Sequence, residues 1–115
     1  MRPIDGAVPS TSPAPPTPGG GPAIALYEAL VLPRLIEEKM LILLRQGKLS
    51  KWFSGIGQEA IAVGVATALA PDDYILPMHR NLGVFTCRGL DLLTLMRQLL
   101  GRQGGITDGR DRTFH

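Results

Sequence analysis

Two neighbouring side chains, His79 and Arg80, are the strongest candidates for chemistry in this chain of 115 residues. They follow a short apolar run, residues 74–76, that the sequence predicts to be a buried strand. Ligands bind α/β proteins beyond the carboxyl ends of strands. An arginine there can grip a phosphate with several donors, and His79 can add one more hydrogen bond. The alternative from the residues alone is an Arg80 that pairs with Asp72 or Asp73 at a sheet edge.

The end of the chain, residues 104–115, is a second candidate and has the composition of a mobile loop. Its three glycines allow backbone shapes that other residues cannot adopt. Arg110 and Arg112 can face phosphates, and His115 can serve as an acid or base near neutral pH. The alternative is a solvated tail with incidental charges.

Composition excludes several other kinds of site. Two histidines and one cysteine, widely separated, do not make a metal-ligand set, and a lone Cys87 cannot form an internal disulfide. A formal charge of +2 is too small to indicate a nucleic-acid partner, which requires clustered Lys and Arg on one face. The longest apolar stretch, residues 60–70, has about half of the ~20 residues that a membrane span needs. Because no secretory signal precedes it, we expect a cytoplasmic protein with no membrane partner.

Helical periodicity predicts the elements that position these residues. Apolar side chains over residues 23–46 predict a first helix that stops at Gly47, with a kink or a break at Pro33. Residues 57–70 are almost all small or apolar and predict a second helix that is buried on all sides. Such burial is hard to arrange in so small a domain, which argues for a larger assembly.

Two shorter helices are expected after the strand. Residues 82–88 predict one or two turns, and Asp91 is a suitable N-cap for a last helix at residues 92–100. Trp52 and Phe53, between the first two helices, are large adjacent aromatics in a loop. They either fill the core or line an interface or a cofactor pocket.

The chain divides into a tail and one domain. Residues 1–22 hold seven of the ten prolines and almost no large apolar side chains, so they cannot bury enough surface to fold. We expect this segment to be disordered. Residues 23–115 then make up a single domain.

Six motifs occur in a fixed order over residues 26–115. They are Arg34-Leu35-Ile36-Glu37-Glu38-Lys39, Gly57-Gln58-Glu59-Ala60, Asp72-Asp73-Tyr74-Ile75, Arg80, Arg88-Gly89 and Gly109-Arg110-Asp111-Arg112-Thr113-Phe114-His115. Together they resemble the amino-terminal part of an alpha chain in one enzyme family. That family is the thiamine-diphosphate-dependent 2-oxo acid dehydrogenases, which includes pyruvate, branched-chain and acetoin dehydrogenases.

The resemblance implies a fold, a cofactor and partners. The fold is α/β, a partial transketolase-like thiamine-diphosphate-binding fold that is mostly helical in this segment, with one clear strand. The cofactor is thiamine diphosphate, held through Mg²⁺ between the alpha chain and a beta subunit or domain. The family decarboxylates a 2-oxo acid and passes the acyl group to a lipoyl-bearing dihydrolipoyl acyltransferase component.

The resemblance also assigns roles to residues. The family's Tyr-Arg pair on the cofactor diphosphate matches His79-Arg80, and its active-site histidine matches His115. Leu82 and Phe53 stand where pyruvate-type members carry histidines, which favours the branched-chain type. The family's Mg²⁺ ligands lie beyond His115, so we expect part of an alpha chain that is inactive alone. The alternative is a small helical interaction module without catalysis.

Overall fold

The computed structural model describes residues 21–112, which form four helices and no strand. The helices are α1 (Pro22–Arg45), α2 (Glu59–Ala68), α3 (Leu82–Cys87) and α4 (Leu92–Leu99). The mostly helical character expected from the sequence is therefore confirmed. The expected disordered tail, residues 1–22, lies outside the described part of the chain except for its last two residues, and Pro22 already belongs to α1.

The carboxyl end of α1 is fixed by a glycine, as the sequence predicts. Gly47 has a φ of 71°, a left-handed conformation that glycine adopts without strain. Its N–H donates to the Leu44 carbonyl at 3.0 Å, and the Lys48 N–H donates to the Leu43 carbonyl at 2.9 Å. These two bonds form a Schellman motif, which satisfies the last carbonyls of the helix and stops it.

Of the kink or break predicted at Pro33, the break does not occur, since α1 continues without interruption on both sides of this residue; the kink stays a prediction. Proline removes one backbone donor from a helix interior. Here Pro33 is itself buried, and Ile36 and Met40, which follow on the same side of the helix, are buried as well. Tertiary packing supplies most of the stability of a helix in a protein, so it offsets the missing bond.

The core lies where α1, α3 and α4 meet. Its buried side chains come from all three helices and from the loop after α1: Ile36, Met40, Leu49, Leu82, Leu95 and Leu99.

The last two helices, α3 and α4, start close to where the sequence predicts. The carboxylate of Asp91 accepts the Thr94 N–H at 3.0 Å, and this bond lowers the pKa of Asp91.

α2 is shorter than the predicted helix at residues 57–70 and is buried on one side only. Ala62, Val63 and Ala66 are buried, whereas Ile61 is 66% exposed and Val65 is 48% exposed. Within the described residues this helix is covered on one side, where α1 and α3 pack against it, and burial on all sides stays a prediction. The larger assembly that would cover the open face stays a prediction.

The predicted strand at residues 74–76 is absent, which corrects the expected fold. Tyr74 and Leu76 are 97% and 96% exposed, and the segment has no regular structure. A strand needs a neighbouring strand to bind its backbone groups, and residues 21–112 supply none. The apolar pattern correctly marks a change from helix to another conformation, but it does not provide the missing partner.

Arg88 holds the turn that precedes this segment. Its guanidinium donates to the carbonyl oxygens of Ala70 at 3.0 Å, Pro71 at 3.1 Å and Asp73 at 2.5 Å. The end of α3 is thereby joined to the chain that leaves α2. These contacts fix one end of the segment that leads to His79 and Arg80.

Candidate functional site

Arg80 lies in a tight turn immediately before α3. The Met78 N–H donates to the Asn81 side-chain oxygen at 2.9 Å, and the Asn81 N–H donates back to the Met78 carbonyl at 3.0 Å. Leu82 and Gly83 follow as buried residues, so the turn is anchored to the core. Arg80 itself is exposed, and no described residue forms a hydrogen bond or ion pair with its guanidinium. The alternative of a pair with Asp72 or Asp73 is therefore not seen.

The loop before α2 passes directly beneath this turn. Gly55 is buried, and a Cβ atom added to it would lie 2.1 Å from the Arg80 carbonyl oxygen. Contact between the two backbones is possible only because position 55 has no side chain. The placement of Arg80 therefore depends on the loop that contains Gly55.

A buried carboxylate on α1 fixes that loop. Glu37 is 1% exposed, and its two oxygens accept from the Trp52 Nε1–H and the Gly55 N–H, both at 2.7 Å. A buried carboxylate is stable only when its oxygens are hydrogen-bonded. Both oxygens of Glu37 have a donor, so the charge is accommodated without a salt bridge from the described residues.

An ion pair between Arg34 and Glu59 lies at the start of α2. The Arg34 Nε–H donates to one oxygen of Glu59 at 2.5 Å, and the other oxygen accepts the Gly57 N–H at 2.8 Å. The hydrogen bond from Arg34 lowers the pKa of Glu59, and the same bond raises the pKa of Arg34. Gly57 has a φ of 93°, so the turn needs glycine there.

A cavity of about 350 Å³ opens beside this loop, a volume that suits a small ligand. Its walls come from the loop after α1, from His79, from the end of α4 and from the last described segment: Ser50, Lys51, Trp52, Phe53, His79, Leu99, Gly109, Arg110, Asp111 and Arg112. Three of these side chains are cationic and one is anionic, which favours a negatively charged ligand.

Aromatic rings and a lysine line one wall of the cavity. The Phe53 and His79 rings have centroids 5.0 Å apart and planes inclined by 56°. The Lys51 ammonium lies 4.7 Å from the centre of the Phe53 ring, within the range of a cation–π contact. Trp52 packs on the core and also lines the cavity, so core filling is confirmed for Trp52, and a role in a cofactor pocket stays a prediction.

Gln98 on α4 binds the last described segment, which forms another wall of the cavity. This side chain is 1% exposed; its oxygen accepts the Thr107 N–H at 2.9 Å, and its amide donates to the Asp111 carbonyl at 3.0 Å. Arg112 reaches the Ser50 hydroxyl at 2.8 Å and so joins the last segment to the loop after α1. The part of the predicted terminal loop that is described is therefore bound to the domain rather than a solvated tail.

The structure places the three predicted site residues differently. His79 lines the cavity, and Arg80 borders a small separate crevice together with Glu37, Gly55 and Glu59. His115 lies outside the described residues, although residues 109–112, which lead to it, line the same cavity as His79.

Sequence reasoning missed Glu37, Gln98 and Lys51 as parts of this site. A usable signal exists for Glu37, which falls on the same helical side as Pro33 and Met40 and must therefore be buried. No comparable signal marks the partners of Gln98, because they follow it in a loop of irregular structure.

The described residues, 21–112, also bear on metal, thiol and membrane sites. No group of three or more His, Cys, Asp or Glu side chains there can hold a metal ion. Burial raises the pKa of the Cys87 thiol, which disfavours a reactive thiolate. None of the described helices is long and apolar enough to span a bilayer.

Comparison with known proteins adds a family to this geometry. The model of the family described as "Dehydrogenase E1 component" matches residues 27–115. The chain is 32% identical over 93 residues to 2-oxoisovalerate dehydrogenase subunit alpha 1, mitochondrial, of Arabidopsis thaliana, covering 81% of this chain and 20% of that protein. No solved structure matches the chain significantly.

Two further relatives differ in the substrate that their names give. The 2-oxoisovalerate dehydrogenase subunit alpha of Bacillus subtilis is 41% identical over 75 residues, covering 64% of this chain and 23% of that protein. The mitochondrial pyruvate dehydrogenase E1 component subunit alpha of Schizosaccharomyces pombe is 33% identical over 96 residues, covering 83% and 24%. The chain thus spans less than a quarter of the length of these relatives.

Proposed function

Because the chain belongs to the dehydrogenase E1 component family, we propose that it forms part of the alpha subunit of a 2-oxo acid dehydrogenase. The proposed activity of the whole enzyme is decarboxylation of a 2-oxo acid and transfer of the acyl group to a lipoyl domain. The proposed partners are a dehydrogenase beta subunit or domain and a dihydrolipoyl acyltransferase component. A cytoplasmic location stays a prediction, since the names of the relatives include both mitochondrial and bacterial proteins.

One observation of the structure carries this proposal. The Arg80 guanidinium is exposed and engages no described residue, while its backbone is fixed against Gly55 and the core. A fixed arginine whose donors engage none of residues 21–112 is suited to bind the oxygens of a phosphate group. We assign Arg80 to the diphosphate of thiamine diphosphate, with His79 as a second donor.

The described residues fit the diphosphate of this cofactor but not its metal. His79 and the cationic side chains of the cavity wall supply donors and positive charge on one side, and Arg80 supplies them from the neighbouring crevice. No group of three or more His, Cys, Asp or Glu side chains in residues 21–112 can hold a metal ion, and we propose that ligands of Mg²⁺ come from elsewhere in the enzyme. When bound, thiamine diphosphate supplies the carbanion chemistry that decarboxylation of a 2-oxo acid requires.

The roles of the chain's own residues follow from their positions. Arg80 and His79 bind and orient the anionic end of the cofactor. The aromatic wall at Trp52 and Phe53 excludes water from one side of the cavity. We keep His115 as a proposed acid–base group of the active site, because the segment that precedes it lines this cavity.

We further propose that the substrate is of the branched-chain type. Leu82 is 2% exposed in the core and Phe53 lies in the cavity wall, so two positions that carry histidine in pyruvate-type members are apolar here. Two of the three relatives described above are named for 2-oxoisovalerate and one for pyruvate. Decarboxylation rates with 3-methyl-2-oxobutanoate and with pyruvate, measured on the complete enzyme, decide between the two types.

The cofactor assignment is tested by calorimetric titration of thiamine diphosphate into the enzyme assembled with its beta partner. We expect R80A to weaken binding by at least about tenfold, the loss of one charge-assisted hydrogen bond. R45A is the matched control, because Arg45 is exposed in the last turn of α1 and lines neither the cavity nor the crevice. Equal affinities for wild type and R80A would overturn the assignment.

A second candidate function is a helical interaction module without catalysis. The observation that favours it is the open apolar side of α2, where Ile61 and Val65 are exposed. On that alternative no thiamine diphosphate binds to the assembled protein, and I61D abolishes capture of the partner. On the proposed function the assembled protein binds the cofactor whatever else this face contacts.

A further inference from the structure

One buried side chain connects the two parts of the site that the proposed function uses. Glu37 is 1% exposed, and each of its carboxylate oxygens accepts one hydrogen bond of 2.7 Å. One donor is the Trp52 indole, which lines the cavity; the other is the Gly55 backbone, which borders the crevice. The same carboxylate therefore holds the loop at two points three residues apart.

The hydrogen bond between Glu37 and the Gly55 N–H affects the position of Arg80, because the backbones of Gly55 and Arg80 are in contact. A Cβ atom at position 55 would lie 2.1 Å from the Arg80 carbonyl oxygen and 3.1 Å from the Glu37 carboxylate. Gly55 is thus enclosed between Glu37 on one side and the Arg80 turn on the other. A shift of this loop moves the backbone on which Arg80 stands.

The contact with Trp52 reaches His79 through the aromatic wall. Phe53 follows Trp52 directly, and its ring packs on the His79 ring with centroids 5.0 Å apart. Glu37 is therefore linked to both members of the pair that we assign to the cofactor, although it touches neither through its own hydrogen bonds.

We propose that Glu37 is a positioning residue, which sets the relative placement of His79 and Arg80 through the loop that it binds. The inference rests on the proposed function for the ligand, since thiamine diphosphate is the probe of that placement. Both groups that Glu37 binds are hydrogen-bond donors, so a side chain that replaces Glu37 must offer two acceptor atoms. An amide offers one acceptor and one donor, and Glu37→Gln therefore leaves one N–H facing another N–H.

Hydrogen–deuterium exchange of the full protein tests the structural part without any ligand. We expect E37Q to raise the exchange of residues 50–57 by about tenfold, as the loss of one buried hydrogen bond implies. E38Q is the matched control, since Glu38 is the adjacent, exposed carboxylate of the same helix. Unchanged exchange of residues 50–57 in E37Q would overturn the proposal.

A double-mutant cycle tests whether Glu37 acts through Arg80. Affinity for thiamine diphosphate is measured for wild type, E37Q, R80A and the double variant, each assembled with the beta partner. We expect E37Q to weaken binding about fivefold to tenfold in the wild type and less than about twofold in R80A, because coupled residues are not additive. If Glu37 has only a structural role, E37Q lowers the stability of wild type and of R80A equally. If the losses of affinity caused by E37Q and R80A simply add in the double variant, Glu37 does not position Arg80.

Gly55→Ala is a second variant that leaves Glu37 intact. It displaces the Arg80 turn from the other side, so we expect it to weaken cofactor binding at least as much as E37Q. Wild-type affinity in folded G55A would overturn the proposal. If R80A binds like wild type, the proposed function fails, and the exchange measurement alone decides whether Glu37 holds the loop.

Discussion

Two loops form two walls of the cavity, and each is held by one buried polar side chain of a neighbouring helix. Glu37 on α1 holds residues 52–55, and Gln98 on α4 holds residues 107–111. Both side chains are 1% exposed, and a glycine packs closely beside each of them. The two loops are thus held in the same way, and they differ in the chemistry of the buried side chain that binds them, which we call the anchor.

The difference lies in what each loop presents to its anchor. The first loop offers two N–H donors, so its anchor must accept twice, and a carboxylate does this. The second loop offers one N–H and one carbonyl, so its anchor must accept and donate, and an amide does this. The comparison shows that the carboxylate at position 37 and the amide at position 98 each match the hydrogen-bonding groups that their loop presents.

The largest expected effect is at the glycine of the first loop. We expect G55A to lower the free energy of unfolding by about 3 kcal/mol, because its Cβ would lie 2.1 Å from a backbone oxygen that cannot swing aside. G105A should cost about 1–2 kcal/mol, since its nearest atoms lie at 2.8 Å. Urea denaturation measures both.

The control for these variants has the opposite sign. Gly64 lies inside α2 with no atom within 4 Å of an added Cβ. We expect G64A to raise the free energy of unfolding by about 0.5–1 kcal/mol through helix propensity. If G55A proves as harmless as G64A, the close contact between the first loop and the Arg80 turn does not exist.

Exchanging the chemistry of the anchors is expected to have the next largest effect. Q98E places a buried carboxylate oxygen against the Asp111 carbonyl, and we expect a loss of about 2–3 kcal/mol. E37Q leaves one donor without an acceptor and should cost about 1–2 kcal/mol. Thermal unfolding, with E38Q as control, measures the losses. A Q98E variant as stable as wild type would contradict the assignment of donor and acceptor in the second wall.

The smallest expected effect is the acid sensitivity of the ion pair beside the first loop. The hydrogen bond from Arg34 holds the pKa of Glu59 below its ordinary 4.5. The unfolded state therefore binds the proton more tightly, so this stabilisation is complete above about pH 4.5 and is lost as the pH falls further. Unfolding of wild type and R34A between pH 3 and pH 7 should show a weaker acid dependence in R34A, with R45A behaving as wild type. An identical acid dependence in R34A and wild type would contradict the assignment of the Glu59 shift to Arg34.

Local signals predicted the helices well. Gly47 ends α1 and Asp91 begins α4 because their caps involve only neighbouring residues. The strand at residues 74–76 was wrong because a strand needs a partner that the described residues do not contain. Pro33 does not break α1, because burial outweighs a local preference.

The candidate site was predictable only where one residue type suffices for the chemistry. His79 and Arg80 were proposed from their types and their place after an apolar run; the structure places them at the cavity and at the crevice, and their role in binding stays a prediction. Glu37 was missed as a site residue, since its role depends on donors 15 and 18 residues away that only folding brings near. The cavity itself joins residues that lie far apart in the sequence, such as Ser50 and Arg112, 62 positions apart, which no short motif reveals.

The most direct test of the central claim compares two ligands that differ only in the diphosphate. Affinities for thiamine diphosphate and for thiamine are measured on wild type and R80A, each assembled with the beta partner. If Arg80 binds the diphosphate, R80A loses at least about tenfold in affinity for thiamine diphosphate and retains its affinity for thiamine. Equal losses for both ligands, or no loss for either, would contradict the claim.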